Sequence, residues 1–255
     1  MCHSGINDHL TTIKKTELLS DSIVSIWLET NNLDFKPGQF LMLETPNTQL
    51  RRPFVIVDKD KKDIRIIFKI RGQGTKTLAG LKVGTKLKVL APLGNPFPEL
   101  PAGHKPLLVG GGIGLVTLLP LAKMYAKECS ASVVLGADTK TSLILLNEFS
   151  SCSKIKACTD DGSMGEKCSS VALAEKHMEE SKEKYVIYAC GPTPMLKATA
   201  ELAKQKDVPC FVSLEERMAC GVGACVCCVV RTSTGLKRVC KDGPVFDAKD
   251  LSWEF

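Results

Sequence analysis

Four of the chain's twelve cysteines fall within nine positions, inside the segment RMACGVGACVCCVV at 217–230. A fifth, Cys240, follows soon after, and no histidine lies beyond His177. Thiols this dense constrain the path of a loop, because they converge either on one another or on metal. Gly221 and Gly223 interrupt the segment, and glycine tolerates positive φ angles and close backbone approach. We therefore expect a tightly curled loop whose cysteines face a common centre.

The spacing of these cysteines is typical of one class of iron–sulfur centre. Cys220, Cys225 and Cys228 fit C-x4-C-x2-C, the spacing of plant-type [2Fe–2S] sites, and Cys240 is available as a distal fourth ligand. Structural zinc is an alternative, although such sites usually show two C-x2-C pairs or histidines. A Rieske centre needs two histidines, which the segment lacks. Cys227 is a fifth thiol that could replace Cys228 as a ligand.

Composition narrows the function classes further. The 255 residues are 44% hydrophobic and 24% charged, which is typical of a folded globular protein. The net charge of +6 is spread along the chain without dense basic clusters, and aromatic residues are only 5%, so nucleic-acid binding is not expected. Neither a signal peptide nor a membrane-spanning run is visible, which predicts a cytoplasmic protein without a membrane partner.

The predicted compartment bears on all the cysteines. Cytoplasmic thiols stay reduced, so clustered cysteines are more often metal ligands than disulfides. Cysteines outside the cluster are expected mostly to be buried small side chains, because free cysteine behaves as a small hydrophobe. These scattered residues are Cys2, Cys129, Cys152, Cys158, Cys168, Cys190 and Cys210.

The order of predicted elements indicates three segments. Residues 1–100 contain short β-rich runs separated by glycine and proline, which predicts a small β-barrel. In residues 101–208 strands alternate with helices, which predicts a doubly wound parallel sheet. Residues 209–255 form a small C-terminal cluster lobe, so the fold class is a β-barrel plus α/β. The helices of the middle segment are predicted over 115–128, 140–151, 169–183 and 193–206.

A phosphate-binding pair is predicted within the barrel segment. Arg52 lies in RRPF, between two β-runs, and GQGT at 72–75 precedes a short helix candidate. Gly74 and Thr75 stand at the start of that helix, where free N–H groups favour a phosphate. Arg52 could close on the same pyrophosphate and hold a flavin dinucleotide. The alternative is an ordinary solvated arginine.

Glycine turns follow two strands of the middle segment. GGGIG at 110–114 ends an apolar strand and opens a helix, where a nicotinamide dinucleotide lies in doubly wound sheets. This turn lacks the full G-x-G-x-x-G spacing, and such turns also serve tight packing. The turn CGP at 190–192 could present backbone and thiol to a nicotinamide ring, and the carboxylates of TDDGS at 159–163 could face a cofactor ribose or solvent. The candidate NAD(H)-binding residues are Gly111, Gly112, Gly114, Cys190, Gly191 and Pro192.

Eight segments spread over nearly the whole chain carry a resemblance to a known family: RRPF, GQGT, PLGNPF, GGGIG, TDDGS, ACGPTPMLKA, SLEERMACGVGACVCCVV and KRVCKDGPVFDAKDL. Together they resemble the iron–sulfur flavoprotein subunits that transfer electrons in dihydroorotate dehydrogenase B. The last two segments are the most specific, whereas the glycine turns are shared with the wider ferredoxin-reductase superfamily. The resemblance implies a ferredoxin-reductase-like FAD barrel, an NAD-binding sheet and a C-terminal [2Fe–2S] lobe.

The resemblance also implies particular cofactor contacts. Val55 stands where the family usually has a hydroxyl residue, and Lys69 replaces a usual arginine, which trades a planar fork for a point charge. Thr117 stands where proline is common after the glycine turn. The implied FAD-binding residues are Arg52, Pro53, Phe54, Val55, Ile67, Phe68, Lys69, Gly74 and Thr75, and the implied cluster ligands are Cys220, Cys225, Cys228 and Cys240.

As to function, the resemblance implies an oxidoreductase subunit of pyrimidine biosynthesis. It would relay electrons through a [2Fe–2S] cluster and FAD, between NAD+ and the FMN of a dihydroorotate-oxidising catalytic subunit, in a heterotetramer with two copies of each chain. The sequence offers no catalytic triad or paired carboxylates, which fits a relay whose substrate site lies on the partner. One alternative is a stand-alone or bifurcating NAD(P)H:ferredoxin-type reductase component with another partner. A second is a redox-sensing or structural iron–sulfur protein without flavin.

Overall fold

The computed structural model describes residues 7–30 and 32–253. Cys2 and the outermost ends of the first and last predicted segments therefore lie outside the described residues. No helix in this part of the chain has both the length and the apolar character needed to cross a bilayer.

The chain packs as two compact units. The first contains the chain up to Pro96 together with 215–229 and 237–244. It thus includes the barrel segment and the cysteine loop. The predicted three-segment division stays a prediction. The second unit contains the stretches 97–214 and 230–236 and the chain from Val245 onwards.

An antiparallel sheet of seven strands organises the first unit, which also contains the short helix α1 (Gln73–Ala79). The strands are β1 (Asn7–Ser20), β2 (Ile23–Glu29), β3 (Phe40–Leu43), β4 (Arg52–Val55), β5 (Asp58–Asp60), β6 (Asp63–Lys69) and β7 (Lys86–Leu93).

The strand order closes this sheet into a barrel. The order is β4-β3-β7-β1-β2-β6-β5, with antiparallel pairing throughout. Phe54 on β4 and Phe68 on β6 pack with ring centroids 5.1 Å apart, so strands from opposite sides of the order meet. Side chains along β7 alternate between buried and more exposed positions, the period expected of a strand with one apolar face. The inward set forms a single core, including Ile26, Leu41 and Ile66.

A second sheet, of six strands, organises the second unit. Its order is β10-β9-β8-β11-β12-β15, parallel except for the edge strand β15. The chain therefore starts at the centre, moves outward to one side, and returns to the other side of β8. That is a doubly wound order, with its switch point between β8 and β11. The strands are β8 (Lys105–Gly111), β9 (Ser132–Ala137), β10 (Lys154–Thr159), β11 (Tyr185–Cys190), β12 (Cys210–Ser213) and β15 (Val245–Asp247), and a separate hairpin contains β13 (Val229–Thr232) and β14 (Gly235–Arg238).

The helices follow the predicted order with two differences. The α-helix predicted over 140–151 is wrong in its first half, because Leu145 adopts a left-handed φ of 63° and only residues after it are α-helical, whereas Lys140–Ser142 forms a 3-10 turn. The predicted helix over 115–128 begins as a 3-10 turn at Gly112–Leu118. The barrel plus α/β class itself is confirmed. The remaining helices are α2 (Leu119–Ala126), α3 (Leu146–Ser150), α4 (Ser170–Glu179), α5 (Thr193–Gln205) and α6 (Val239–Asp242), with further 3-10 turns at Lys140–Ser142 and Ala248–Asp250.

Candidate iron–sulfur and dinucleotide sites

The cysteine loop is seated directly on the barrel. Gly221 has a φ of +73°, and a Cβ at this position would lie 2.5 Å from Met42 Cγ and 3.2 Å from Leu93 Cδ1. Glycine is therefore required here both for its backbone angle and for the close approach to β3 and β7. A second attachment joins the segment around α6 to the barrel, where the Asn95 N–H donates to the Gly243 carbonyl at 2.6 Å.

Backbone N–H groups are directed at the cysteine sulfurs. The Cys220 sulfur accepts from the N–H groups of Val222 and Cys225, each at 3.4 Å. The Cys240 sulfur accepts from the N–H of Gly223 at 3.1 Å. The Cys228 sulfur accepts from the N–H of Cys240 at 3.3 Å. Such donors stabilise thiolate over thiol, which is the form that binds metal.

The pKa values of two of these thiols are shifted in opposite directions from the ordinary value. Burial raises the pKa of Cys220, but the N–H donors of Cys225 and Val222 outweigh it and lower the pKa to about 6. For Cys240, burial and the neighbouring Cys228 thiol raise the pKa to about 12, despite the Gly223 N–H. A buried thiol beside a second thiol resists ionisation, and a cation bound between the two sulfurs would lower its pKa.

Arg238 connects the two parts of the cysteine site, which are the loop around Gly223 and the helix α6. Its Nη1 donates to the Gly223 carbonyl at 3.2 Å, and its Nε pairs with Asp242 Oδ2 at 3.1 Å. The Arg238 backbone N–H donates to the same carboxylate oxygen at 2.8 Å. The side chain thereby fixes the loop around Gly223 relative to α6, which contains Cys240.

The arrangement of the four thiols fits a two-iron centre. They fall into two neighbouring pairs, since Cys225 affects the pKa of Cys220 and Cys228 affects that of Cys240. Among the residues that the structure describes, no three His, Cys, Asp or Glu side chains gather closely enough for a single metal ion. Two pairs around one loop suit a [2Fe–2S] cluster with four cysteine ligands better than one tetrahedral zinc. Cys227 is exposed and makes no such pair, whereas Cys228 is buried.

The residues predicted for FAD lie on three elements of the barrel unit. Arg52, Pro53, Phe54 and Val55 form β4, Ile67, Phe68 and Lys69 end β6, and Gly74 and Thr75 lie in α1. Phe54, Ile67 and Phe68 are buried, so their side chains serve the core, whereas Lys69 is exposed. Because β4 lies at the end of the strand order and pairs with β3, backbone groups along its other edge can reach a ligand.

Two of the predicted flavin segments meet in space. A Cβ at Gly74 would lie 2.9 Å from Arg52 Nε, so the guanidinium lies against the first turn of α1. The Arg52 Nη1 donates to the Leu50 carbonyl at 2.7 Å, which holds it there. The Thr75 hydroxyl accepts from the N–H of Arg71 at 2.9 Å and donates to the Gly72 carbonyl at 3.0 Å. Thr75 therefore orders the turn itself.

The candidate nicotinamide residues converge at the switch point of the second sheet. A Cβ at Gly114 would lie 2.6 Å from the Gly191 nitrogen, and one at Gly191 would lie 3.1 Å from the Gly111 Cα. A Cβ at Gly111 would lie 3.2 Å from Pro192 Cδ, whereas Gly112 has open space and a φ of +54°. The turns after β8 and β11 thus pack backbone to backbone at the sheet edge where doubly wound folds bind dinucleotides.

Cys190 has a partner that the sequence did not predict. Its thiol donates to the Thr117 hydroxyl at 3.4 Å, and both side chains are buried. Thr117 is the position where the resemblance led us to expect proline, which has no hydroxyl. Sequence reasoning also missed Arg238 and Asn95, because their roles depend on contacts with distant residues. Their occurrence in KRVCKDGPVFDAKDL and PLGNPF was the available signal.

Comparisons with known proteins agree with this geometry. Residues 215–252 match the family described as the iron–sulfur cluster binding domain of dihydroorotate dehydrogenase B. The chain is 40% identical to a protein from Caldanaerobacter subterraneus subsp. tengcongensis named "Dihydroorotate dehydrogenase B (NAD(+)), electron transfer subunit", over 84% of this chain and 86% of that protein. A protein of the same name from Shouchella clausii is 38% identical over 95% of this chain and 96% of its own.

A solved structure is similar over the entire chain. It is the structure of an NADH-dependent reduced ferredoxin-NADP oxidoreductase, described in connection with flavin-based electron bifurcation. The match has a TM-score of 0.86 and 29% sequence identity, and covers 100% of this chain and 92% of that one.

Proposed function

Because the chain belongs to the family of electron-transfer subunits of dihydroorotate dehydrogenase B, we propose that it relays electrons between NAD+ and the FMN of a dihydroorotate-oxidising partner. Bound FAD supplies the exchange between the electron pair of a nicotinamide hydride and the single electrons that a [2Fe–2S] cluster carries. The substrate site belongs to the partner subunit, and two copies of each chain form the cytoplasmic complex.

The observation that carries the proposal is the attachment of the cysteine loop to the barrel. The Gly221 contact with Met42 and the hydrogen bond from Asn95 to Gly243 hold that loop in the same compact unit as the flavin candidates. A one-electron centre and a flavin held in one unit can exchange electrons without a change in conformation.

Each group of residues has a role in this proposal. Cys220, Cys225, Cys228 and Cys240 would hold the cluster as thiolates, and backbone N–H groups donate to the sulfurs of Cys220, Cys228 and Cys240. Arg52 neutralises the FAD pyrophosphate beside α1, and the exposed edge of β4 orients the flavin. The glycine turns at 111–114 and 190–192 leave room for the nicotinamide dinucleotide, because side chains there would fill the switch point.

The activity is tested by co-purification and assay of the native complex. The chain is co-expressed with an FMN-containing dihydroorotate dehydrogenase catalytic subunit, and NAD+ reduction by dihydroorotate is measured under anaerobic conditions. We expect the pair to reduce NAD+ and the catalytic subunit alone to fail. A complex that forms but gives no dihydroorotate-dependent NADH would contradict the proposal.

The flavin site is tested by a pair of glycine substitutions. Gly74→Ala displaces the Arg52 guanidinium, and an off-rotamer side chain costs of order 1 kcal/mol, about a fivefold loss of FAD affinity. Gly72→Ala is the matched control, since a Cβ there meets nothing within 4 Å. FAD retention is measured by absorbance after gel filtration. Equal retention in both variants would remove Arg52 and Gly74 from the flavin site.

A second candidate function is a bifurcating NAD(P)H:ferredoxin-type reductase component. The full-length structural match to an NADH-dependent reduced ferredoxin-NADP oxidoreductase favours it. It predicts a partner other than a dihydroorotate dehydrogenase. Mass spectrometry of the natively purified complex, followed by assay with ferredoxin and NADPH, distinguishes the two.

A further inference from the structure

Two cysteines at the ends of the loop between β10 and α4 are not used by the proposed function. Cys158 lies in β10 and is fully buried, and Cys168 lies just before α4 and is half-buried. The sequence predicted both as ordinary small side chains. The structure brings them together, although nine residues separate them along the chain.

Hydrogen bonds hold the two ends of this loop side by side. The Glu166 carbonyl accepts from the N–H of Thr159 at 3.2 Å and from the N–H of Cys168 at 3.1 Å. The Thr159 hydroxyl closes the loop across its middle, because it accepts from the Met164 N–H at 3.0 Å and donates to the Met164 carbonyl at 3.1 Å. Gly165, with a φ of +66°, lets the returning backbone pass against β10.

The two thiols are neighbours, because Cys158 and Cys168 both lie against Glu166, and they differ in accessibility. Cys168 is close enough to affect the pKa of the Cys158 thiol, which donates to the Leu135 carbonyl at 3.8 Å. Burial first, and the Cys168 neighbour second, raise the pKa of Cys158 to about 12. Cys158 therefore stays a protonated thiol inside the sheet, and a reagent from solvent reaches Cys168 first.

We propose that Cys158 and Cys168 are a modification site, a thiol pair that hydrogen peroxide oxidises reversibly to a disulfide. Disulfides that form in reducing compartments are usually transient and redox-responsive, and a thiol beside a resolving cysteine is the usual arrangement. This site goes beyond the proposed function and does not depend on it.

The reaction balances in two steps. The Cys168 sulfur attacks one peroxide oxygen, the O–O bond breaks, and the products are a Cys168 sulfenic acid and one water. The Cys158 thiol then gives its proton to the sulfenic hydroxyl as its sulfur attacks the Cys168 sulfur, an S–S bond forms, the S–O bond breaks, and the oxygen leaves as a second water. The two thiols together lose two electrons and two protons, which the peroxide oxygens gain. A small dithiol reverses the change by thiol–disulfide exchange.

The disulfide would close a covalent ring from 158 to 168. Because the backbones of Cys158 and Cys168 both lie against Glu166, the two sulfurs start close to each other and would approach to the S–S distance of about 2 Å. The ring encloses TDDGS at 159–163, whose first aspartate N–H donates to the Ala137 carbonyl at 3.0 Å. Oxidation would therefore fix this turn against the end of the neighbouring strand β9.

Tryptic digestion gives a direct readout. Cleavage after Lys156, Lys167 and Lys176 places Cys158 in peptide 157–167 and Cys168 in peptide 168–176. The full chain with its cofactors is treated with hydrogen peroxide, quenched in acid with N-ethylmaleimide, digested and analysed by mass spectrometry. We expect a linked 157–167/168–176 pair that forms with peroxide and is lost after treatment with dithiothreitol.

Three variants establish the order of events. Cys158→Ala should abolish the linked pair and leave a sulfenic acid on peptide 168–176, which dimedone captures. Cys168→Ser should abolish both the linked pair and any dimedone adduct on peptide 157–167. Cys152→Ser, which removes another half-buried thiol of the same unit, should leave the linked pair unchanged.

Two results would overturn the proposal. In one, the wild-type chain keeps as much dimedone adduct on Cys168 as Cys158→Ala does, so that Cys158 does not react with it. In the other, Cys168 is linked mainly to cysteines other than Cys158. Dimedone labelling of Cys168 in Cys158→Ala reports on the first step even if that variant is less stable than the wild type.

Discussion

Backbone N–H groups donate to sulfurs of the cysteine loop, whereas the thiol of Cys158, on strand β10, donates to the Leu135 carbonyl. The pKa values of one thiol from each region are shifted in opposite directions. Burial raises both pKa values, but N–H donors bring Cys220 down to about 6, while the pKa of Cys158 rises to about 12.

The contrast shows that the backbone around a cysteine influences how readily its thiol ionises to the thiolate that binds metal. A loop with glycines at positive φ can direct several N–H groups inward, because its backbone is not engaged in a ladder. A β-strand cannot do so, because its N–H groups are already paired with neighbouring strands. Ligation at Cys220 therefore depends on the loop backbone, whereas Cys240 in α6, whose pKa is also about 12, depends on the bound cation to ionise. Reversible thiol chemistry is proposed for Cys158 and Cys168 at the sheet.

The largest expected effect separates ligand thiols from other thiols. Cys228→Ser should remove most of the bound iron and labile sulfide, because a serine hydroxyl is a far weaker ligand than a thiolate. Cys227→Ser, one residue away and exposed, should keep both, as should Cys158→Ser. Metal analysis of anaerobically purified protein measures this. Loss of iron from Cys227→Ser with retention in Cys228→Ser would reassign the ligand.

The second prediction tests how the loop is attached to the barrel. Gly221→Ala and Gly84→Ala both place a side chain at positive φ, which costs about 1 kcal/mol. Only Gly221→Ala also clashes, with Met42, and overpacking adds about 1–3 kcal/mol; a Cβ at Gly84 meets nothing within 4 Å. Urea unfolding should show the larger loss for Gly221→Ala, with faster cluster loss. Equal destabilisation would mean that the loop is not seated on β3.

The third prediction concerns the arginine that joins the two halves of the cysteine site. Arg238→Gln removes the ion pair with Asp242 and the bond to the Gly223 carbonyl, and supporting residues of this kind are worth about tenfold in metal affinity. The rate of iron release to a chelator should rise accordingly. Arg231→Gln, at an exposed position on β13, is the control. Identical rates for the two variants would contradict the supporting role of Arg238.

The smallest effect is expected at the sheet. Thr117→Val removes the acceptor of the Cys190 thiol at nearly constant volume, and one neutral hydrogen bond contributes about 1 kcal/mol or less. We expect a slightly raised KM for NADH, an unchanged iron content and stability lower by about that amount. A loss of iron in this variant would show that the sheet and the loop are not independent.

Local patterns predicted the fold well. Strand and helix alternation and glycine turns correctly predicted a barrel followed by a doubly wound sheet. The prediction failed where one backbone angle determines the structure, as at Leu145, whose left-handed conformation delays the start of the helix predicted over 140–151 until Leu146. Leu143 and Ile144 are buried just before it, and an apolar run of this kind does not by itself distinguish a buried irregular segment from a helix.

The candidate site, like the fold, could be predicted only in part from the sequence. Three of the four cysteines lie in one loop with a typical spacing, so the sequence could propose them as ligands, with Cys240 as a distal fourth. The meeting of Arg52 with Gly74 was predicted, because both segments were assigned to one pyrophosphate. The support from Arg238 and the Cys158–Cys168 pair depend on residues brought together by folding. Those contacts could not be predicted from spacing, because neither partner's sequence neighbourhood specifies the other.

Central to the proposed function is a two-iron cluster that exchanges electrons with a flavin bound to this chain. Anaerobic titration of the purified protein with NADH, followed by absorption and electron paramagnetic resonance, tests it most directly. The account predicts about two irons and two sulfides per chain, bleaching of a yellow chromophore, and a paramagnetic signal from the reduced cluster. Zinc in place of iron, or an iron–sulfur signal that NADH cannot elicit, would contradict it.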